Sequence, residues 1–550
     1  MSRYLQGSRA WLWLTLLCAV LYVPGLAALP ATDRDESRYM QASRQMLETG
    51  DLVRIRFHTV ARNKKPVGIH WLQSASVAAV STPASTERWP YRLPSLLGAW
   101  LAVMFTFALG CLYMERRTAF LAAALLASCL LLVVESHIAK TDAMLLATVA
   151  AAQYALARLY LRSRAGGDAG WRTALVFWVA QGVGILIKGP LTPVISGLTL
   201  AGLSVTTPTR KLWRSLRVWA GLPIAVLIAA PWFIAIMAVE SDFIQGAAGR
   251  DFLGKLISGQ EAHGAPPGYY LFLLMATFAP ASLFVWPSLI WAWRNRRQVM
   301  VRLLFWWVVP FWIILELVPT KLPHYILLVY PALALLVAQA AAVSETGELR
   351  RVLHWSRRLG FVIWYLIALG FAAAAFALPI VVGDGVVWGG LIAVIAAVVL
   401  GGWALATIWR GEVRRALWLG VIAAPLVFAP VFAWVLPGAT SVWTSRAAGD
   451  LVARAKPSTA TTVYTTGYRE PSLVFNIGTD LRFVEPAQLV ADLRGKRDWL
   501  ALVAADKLSD FRERAWAAKI GFRAIGTVRG FNYNRGRWER LTLFGPASGR

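Results

Sequence analysis

Long apolar runs separated by short basic segments dominate this chain and leave few folds open to it. About thirteen such runs occur, most of roughly 17–23 residues, the length an α-helix needs to cross the hydrocarbon of a bilayer. They fall near 11–29, 92–113, 118–134, 142–160, 173–187, 190–206, 217–237, 270–292, 302–318, 325–342, 359–380, 386–408 and 414–436. Backbone polar groups inside a bilayer must be satisfied within their own segment. The runs therefore predict a bundle of membrane helices and exclude a soluble fold for most of the chain.

The net charge of +27 raises the question of a polyanionic partner. Most of the Arg and Lys residues punctuate the apolar runs, as loop charge facing anionic lipid does, so no nucleic acid is expected. Alternate loops carry Arg116/Arg117, Arg162/Arg164/Arg172, Arg210/Lys211/Arg214/Arg217, Arg294/Arg296/Arg297/Arg302, Arg350/Arg351/Arg357/Arg358 and Arg410/Arg414/Arg415. The loops between them hold single cations such as Lys140, Lys188 and Lys321. By the positive-inside rule the N-terminus is cytoplasmic and the C-terminal tail external. Arg3 and Arg9 precede the first run as in a signal peptide, but its length favours a retained anchor. Cys18, Cys111 and Cys129 all lie in apolar runs, so no disulfide framework is expected outside.

After Pro437 the composition changes. β-rich runs at 461–464, 473–477, 481–484, 500–503 and 541–544 alternate with helix-like stretches at 487–493 and 507–520. The fold class is a polytopic α-helical membrane protein with a C-terminal external α/β domain. Its parts are a membrane module over 1–438, including a juxtamembrane loop over 30–91, and a soluble domain over 439–550.

That loop contradicts the charge rule. It sits on the external side yet carries Arg34, Arg38, Arg44, Arg54, Arg56, Arg62, Lys64, Lys65 and Arg88, and it opens with Asp33, Asp35 and Glu36. Cations there suit an anionic partner, and the carboxylates beside them suit catalysis. Asp33 with Glu36 predicts a capping box for a helix ending near Gly50. Tyr39, Ala42, Met46 and Leu47 would lay that helix along the membrane surface. Asp35, Arg38 and Tyr39 then share a face, as an ordinary surface ion pair also would. Arg38 as a planar fork and Lys65 as a point charge suit a lipid phosphate. A basic loop touching headgroups is the alternative.

The other external loops are short and polar: Glu135 to Asp142, Lys188-Gly189-Pro190, and Thr320 to Tyr325 with Lys321. Charges at such depths usually face a cavity. The longer loop 238–268 holds Arg250, Asp251, Lys255, Glu261 and His263 and is placed to close over a site. His58, His70, His137, His263 and His324 show no metal-ligand spacing. Two of them with Glu36 or Glu261 could still build a divalent metal site, with hydrogen-bonded histidines as the simpler reading.

Asp35-Glu36-Ser37-Arg38-Tyr39, then Met46, Gly50-Asp51, Lys65-Pro66 and Trp71, resembles the first external loop of bacterial GT-C-type glycosyltransferases that use polyprenyl-phosphate sugars. Thr141-Asp142, Lys188-Gly189-Pro190 and Lys321-Leu322-Pro323-His324-Tyr325 resemble its later loops, so the likeness covers roughly residues 10 to 345. Arg469-Glu470-Pro471-Ser472 resembles the 4-amino-4-deoxy-L-arabinose lipid A transferase branch.

The resemblance implies transfer of an aminopentose from undecaprenyl phosphate to a lipid A phosphate at the periplasmic face of the bacterial inner membrane, lowering surface charge and conferring polymyxin resistance. It implies Asp35 as catalytic carboxylate, Arg38, Lys65, Arg250 and Tyr325 around the carrier phosphate, and Glu36, Tyr39, Lys64, Asp142, Lys188 and Lys321 as further cavity candidates. Its partners would be the lipid-linked sugar, lipid A and membrane lipids, and a divalent metal is a candidate cofactor. Lys64 departs from the branch, which often has Glu there. The alternatives are a protein O-mannosyltransferase-like or other polyprenyl-phosphate-sugar transferase, and a lipid transporter. Against the transporter, the polar groups cluster in loops and not at the midplane.

Overall fold

The structure is a computed structural model, and it describes residues 8–62, 64–208, 210–240, 243, 265–344, 356–458 and 460–547. The first part of the chain runs through α1 (Arg9–Tyr22), α2 (Asp35–Thr49), the hairpin β1 (Arg56–Phe57) and β2 (Val60–Ala61), α3 (Gly68–Val80) and α4 (Trp89–Gly110). It continues with α5 (Arg116–Ala127), α6 (Leu130–Ser136), α7 (Asp142–Arg164), α8 (Trp171–Lys188) and α9 (Leu191–Thr206).

Eight helices are long and apolar enough to cross a membrane: α4, α7, Val218–Val239, Val299–Leu317, Pro323–Val343, Phe361–Val381, Gly389–Trp409 and Val413–Gly438. A ninth span forms if α5 and α6, bent by 61° at their junction, are taken together. By length and composition the described residues thus give eight or nine spans against the expected count of about thirteen. The other expected runs are helical but short, polar or broken. The α1 helix has 14 residues and α9 has 16, while α8 carries Arg172, Gln181 and Lys188. The run at 270–292 is interrupted after Pro280 by a 3-10 turn, Ala281–Phe284.

Small residues set the packing of the bundle. Ala99, Ala102, Ala119, Ala122, Ala123, Ala124, Ala143 and Ala150 are all buried on α4, α5 and α7, where α4 packs against each of the other two. A Cβ on Gly98 would stand 2.5 Å from the Met144 backbone nitrogen, so only glycine permits this approach of α4 to α7. Elsewhere apolar side chains stay exposed, Trp219, Leu227 and Ile234 among them, as lipid-facing residues do.

The α2 helix ends as expected, with Gly50 taking φ 70°. Its start and surroundings differ from expectation. No side chain caps it, and Asp33 and Glu36 do not form a capping box. Glu36 reaches back to the Thr32 N–H and hydroxyl instead, both at 2.8 Å. The helix is also covered by protein, with ten side chains between Glu36 and Met46 buried. Tyr39 joins the bundle core, Ala42 and Met46 meet Trp232, and Met40 meets Phe475.

Phe475 belongs to the C-terminal part, a five-stranded sheet of order β4-β3-β5-β7-β6. Its strands are β3 (Thr462–Thr466), β4 (Arg482–Phe483), β5 (Trp499–Ala504), β6 (Phe522–Asn532) and β7 (Arg537–Pro546). The β3/β4 and β3/β5 pairs are parallel and those with β7 antiparallel. Every residue of β5 is buried, with Leu500 and Leu502 on one face and Trp499, Ala501 and Val503 on the other. Two expectations are corrected. The run 473–477 is the helix Pro471–Ile477, where Pro471 presets the first turn after an extended Glu470. The edge strand β6 escaped notice because only two of its eleven residues are buried and Gly526 and Gly530 interrupt its pattern.

The segment after Arg469 docks on α2. Arg44 donates to the Phe475 carbonyl at 3.1 Å, Gln41 to Thr479 at 2.7 Å, and the Thr479 hydroxyl to Glu48 at 2.9 Å. Asp33 accepts from the Ser472 N–H at 3.0 Å, while its own N–H donates to the Tyr533 hydroxyl at 2.6 Å. Burial pushes the Asp33 carboxyl up to about 6, with Glu470 adding to the rise and the Ser472 hydrogen bonds and Arg38 opposing it. A carboxyl raised on docking holds its proton more tightly in the docked form. Its contribution is therefore largest below the free aspartate's range and is lost as pH rises through about 6. Asp33→Asn keeps the acceptor oxygen and removes the charge. It is expected to raise the unfolding midpoint of the detergent-purified protein at about pH 7.5 and to raise it distinctly less at about pH 4.5. Thermal scans at both pH values check this.

Candidate active site

Two groups of charged side chains face each other across Tyr39. The first is built on the start of α2 and on the β-hairpin. Asp35 is the first residue of α2, favourably placed at a helix N-terminus, and its side chain remains 52% exposed. The cation paired with it is Arg62, at 3.4 Å, and not Arg38. The hairpin makes this possible: the Arg62 N–H donates to the Ile55 carbonyl at 2.7 Å, which folds the chain back toward α2. The Arg62 guanidinium also lies 5.7 Å from the centre of the Tyr39 ring.

Arg38 is half-buried one turn further along α2, and among the described residues its guanidinium makes no hydrogen bond or ion pair. Its pKa is lowered by burial and then by the neighbouring cations Arg62 and Arg34, with Asp35 acting against them. Arg34, Arg38 and Arg62 around one carboxylate leave a surplus of positive potential. Such a place suits an anion.

The second group collects the other polar loops. Asp142, the first residue of α7, meets Lys188 from the last position of α8 at 2.5 Å. Gly189, at φ 73°, turns the chain immediately after that lysine. Lys140 bridges Glu135 at 3.2 Å and Asp142 at 3.9 Å, and His324 approaches Asp142 at 3.8 Å. Lys188 also stands 5.6 Å from the centre of the Tyr325 ring. Burial disfavours the Lys140 ammonium, but Glu135 and Asp142 outweigh it and hold its pKa above the usual lysine value. The groups are linked through Tyr39, whose hydroxyl feels Asp35 and Arg62 on one side and Asp142 and Lys140 on the other. Lys65, partly buried, lies close enough to act on the His324 ring.

Of the residues expected here, Asp35, Arg38, Tyr39, Lys65, Asp142, Lys188 and Tyr325 come together, while Lys64 is exposed on the hairpin side. Arg250 lies outside the described residues, as do Asp251, Lys255, Glu261 and His263. Glu36 is placed differently from expectation: it is fully buried and saturated by Arg92, Thr32 and the Ala139 N–H. Lys321 is also elsewhere, donating to the Leu315, Glu316 and Val318 carbonyls at the end of Val299–Leu317. It satisfies the orphan carbonyls of a helix C-terminus. Arg62, Glu135 and Lys140 were missed as site residues. Arg62 is brought to Asp35 by tertiary folding of the hairpin, and Glu135 by the bend between α5 and α6, neither of which has a periodic signal.

His58, His70 and His137 are structural. His58 is held by the Leu481 carbonyl, and His70 lies by the Ser43 hydroxyl and the Tyr39 ring. His137 lies by the Val133 and Pro24 carbonyls. Among the described residues, the ligand atoms close enough to share a metal ion belong to Glu135, Asp142 and His324, within 4.8 Å of one another. Lys140 and Lys188 already neutralise both carboxylates. A divalent cation would have to displace two buried ammonium groups, so this donor set does not fit one and no step is assigned to a metal.

The chain resembles known proteins in both sequence and fold. Residues 21–245 match the family model described as dolichyl-phosphate-mannose-protein mannosyltransferase. The chain is 30% identical over 383 residues to an undecaprenyl phosphate-alpha-4-amino-4-deoxy-L-arabinose arabinosyl transferase of Pectobacterium atrosepticum, an alignment spanning 67% of this chain and 65% of that relative. To the protein of the same name from Aeromonas salmonicida it is 28% identical, over 77% of this chain and 76% of the relative. The crystal structure of ArnT from Cupriavidus metallidurans bound to undecaprenyl phosphate superposes with a TM-score of 0.74 at 18% identity, covering 98% of both chains. A membrane helix bundle with an acid-led juxtamembrane helix and a C-terminal sheet domain, matched in this way, is the fold of the GT-C-type glycosyltransferases. The chain has that fold and is similar in sequence to its ArnT-like members.

Proposed function

We propose that this protein transfers 4-amino-4-deoxy-L-arabinose from undecaprenyl phosphate to a phosphate of lipid A, at the periplasmic face of the bacterial inner membrane. The observation that carries the reading is an exposed carboxylate, Asp35, at the start of α2, one turn from the Arg38 guanidinium, which has no ion-pair partner among the described residues. The names of the relatives and the ligand of the structural neighbour support the donor and the sugar.

The chemistry balances without an added base. The carrier phosphodiester bears one negative charge, and the acceptor phosphate monoester, with a second pKa near ~6, bears mostly two. An acceptor oxygen forms the new bond to the anomeric carbon while the bond to the carrier oxygen breaks and its electron pair stays with the carrier phosphate. The carrier leaves as a monoester with two negative charges, and the acceptor becomes the diester. Arg38 and Lys65 stabilise the charge growing on the carrier phosphate. Asp35 faces the positive charge developing at the anomeric carbon and orients the sugar.

One observation favours a second reading, a transferase acting on protein hydroxyls: the matched family model is that of a protein mannosyltransferase. Asp35 would then serve as general base. Expression in a strain that makes the lipid-linked aminopentose but lacks its transferase separates the two. The proposal expects lipid A heavier by aminopentose units and lower polymyxin susceptibility. Unchanged lipid A beside newly glycosylated protein would favour the second reading.

A further inference from the structure

We propose that Arg62 is a positioning residue whose guanidinium exchanges between two anions, held by Asp35 before transfer and drawn to the carrier phosphate as its second negative charge develops. This rests on the function proposed above and assigns a role to a residue outside its expected site.

Four observations meet at Arg62. It is the ion-pair partner of Asp35, at 3.4 Å, a loose contact by the standard of charge-assisted bonds, which run about 2.7–2.9 Å. Its side chain is 14% exposed and that of Asp35 52% exposed, so the pair lies at the rim of the site with its carboxylate open to an entering ligand. The Tyr39 ring beneath the guanidinium gives it a surface to slide on without losing its cation–π contact. Arg38 lies close enough to repel it, and Arg34 close enough to repel Arg38 in turn, so an anion entering beside Arg38 is attracted by all three.

Charge bookkeeping supplies the direction. In the resting protein Asp35 neutralises Arg62, and a diester with a single charge gains little by displacing that carboxylate. The leaving monoester carries two charges, and the added one accumulates only as the bond to the sugar breaks. A cation that responds to that added charge stabilises the transition state more than the bound donor, which raises turnover and not ground-state affinity. The same movement releases Asp35 toward the sugar when positive charge develops at the anomeric carbon. Arg38, which has no ion-pair partner among the described residues, contacts the phosphate in the bound donor and in the leaving group, and Arg62 adds a response that appears only as the second charge develops.

The test uses the purified full-length protein with Arg62→Ala, Arg62→Lys and Arg62→Gln. For Arg62→Ala the expected result is a fall in kcat of about ten- to a hundred-fold with the donor KM changed less than about threefold. Lys should restore part of the loss and Gln almost none. Ligand titration gives a readout independent of turnover. Affinity for undecaprenyl phosphate, the doubly charged product, should fall about tenfold or more in Arg62→Ala at about pH 8, while affinity for an undecaprenyl methyl phosphodiester stays within about threefold. Equal weakening toward both lipids, or a KM effect with kcat intact, overturns the exchange, because Arg62 would then be a uniform phosphate contact. Unchanged kcat and affinities overturn it as a surface ion pair. If the wild-type protein binds both lipids with the expected charge dependence but moves no aminopentose, the proposed reaction fails and the binding arm still decides for or against Arg62.

Discussion

Asp35→Asn is expected to abolish sugar transfer, with turnover falling by about 10²–10⁴-fold while expression and donor binding persist. Asparagine keeps the shape and the helix N-terminal position and removes only the charge. Asp35 is exposed and among the described residues its one ion pair is with Arg62, so the fold does not depend on it. Single-turnover kinetics on purified protein provide the measurement, and its pH profile separates two roles. With a phosphate acceptor, wild-type activity should track the acceptor's second ionisation near ~6. With a hydroxyl acceptor, activity should depend on a base in the enzyme. An Asp35→Asn enzyme with near wild-type turnover would move the chemistry to the Asp142 cluster.

The second large effect concerns stability. Arg92→Met is expected to destabilise the protein by about 3–5 kcal/mol, the usual result of leaving one member of a buried ion pair alone. Arg92 and Glu36 are both 0% exposed at the side chain and joined at 2.8 Å. Arg92 also ties down the Leu26, Leu29 and Pro30 carbonyls between 2.7 and 3.0 Å. Glu36 takes up the Thr32 and Ala139 N–H groups at 2.8 and 3.0 Å. The pair thus anchors the exit of α1, the start of α2 and the α6–α7 connection in one place, next to Asp35. The double variant Glu36→Gln with Arg92→Met should lose less than Arg92→Met alone, because no buried charge is left unpaired. Thermal unfolding in detergent checks both. A wild-type midpoint for Arg92→Met would show that the pair is dispensable.

Much of this was legible in the sequence. Apolar run length and the placement of arginines in alternate loops gave the helical bundle, since a bilayer permits little else. The helix Asp35–Thr49 was expected in the right place and its stop at Gly50 holds, although the capping box that pointed to its start does not form. Lys188 and Asp142 were separately expected at a cavity from the cost of charges at such depths. Length alone could not give the number of spans, because α1 and α9 are short and α5–α6 is bent. Roles set by partners distant in sequence were also hidden. Glu36 looked like a site acid, and only the arrival of Arg92 from 56 residues away makes it structural. Lys321 looked like a cavity cation until the end of Val299–Leu317 supplied carbonyls for it. Arg62 was one arginine among many until the hairpin set it against Asp35.

The central claim is tested most directly by mass spectrometry of acceptors after reaction with purified protein in liposomes. Lipid-linked aminopentose serves as donor, and the acceptors are lipid A, dephosphorylated lipid A and a Ser/Thr-rich peptide. The account predicts one or two aminopentose units on lipid A, none on the other two, and release of undecaprenyl phosphate in equal amount. Transfer to the peptide or to dephosphorylated lipid A, with phosphorylated lipid A left unmodified, would contradict it.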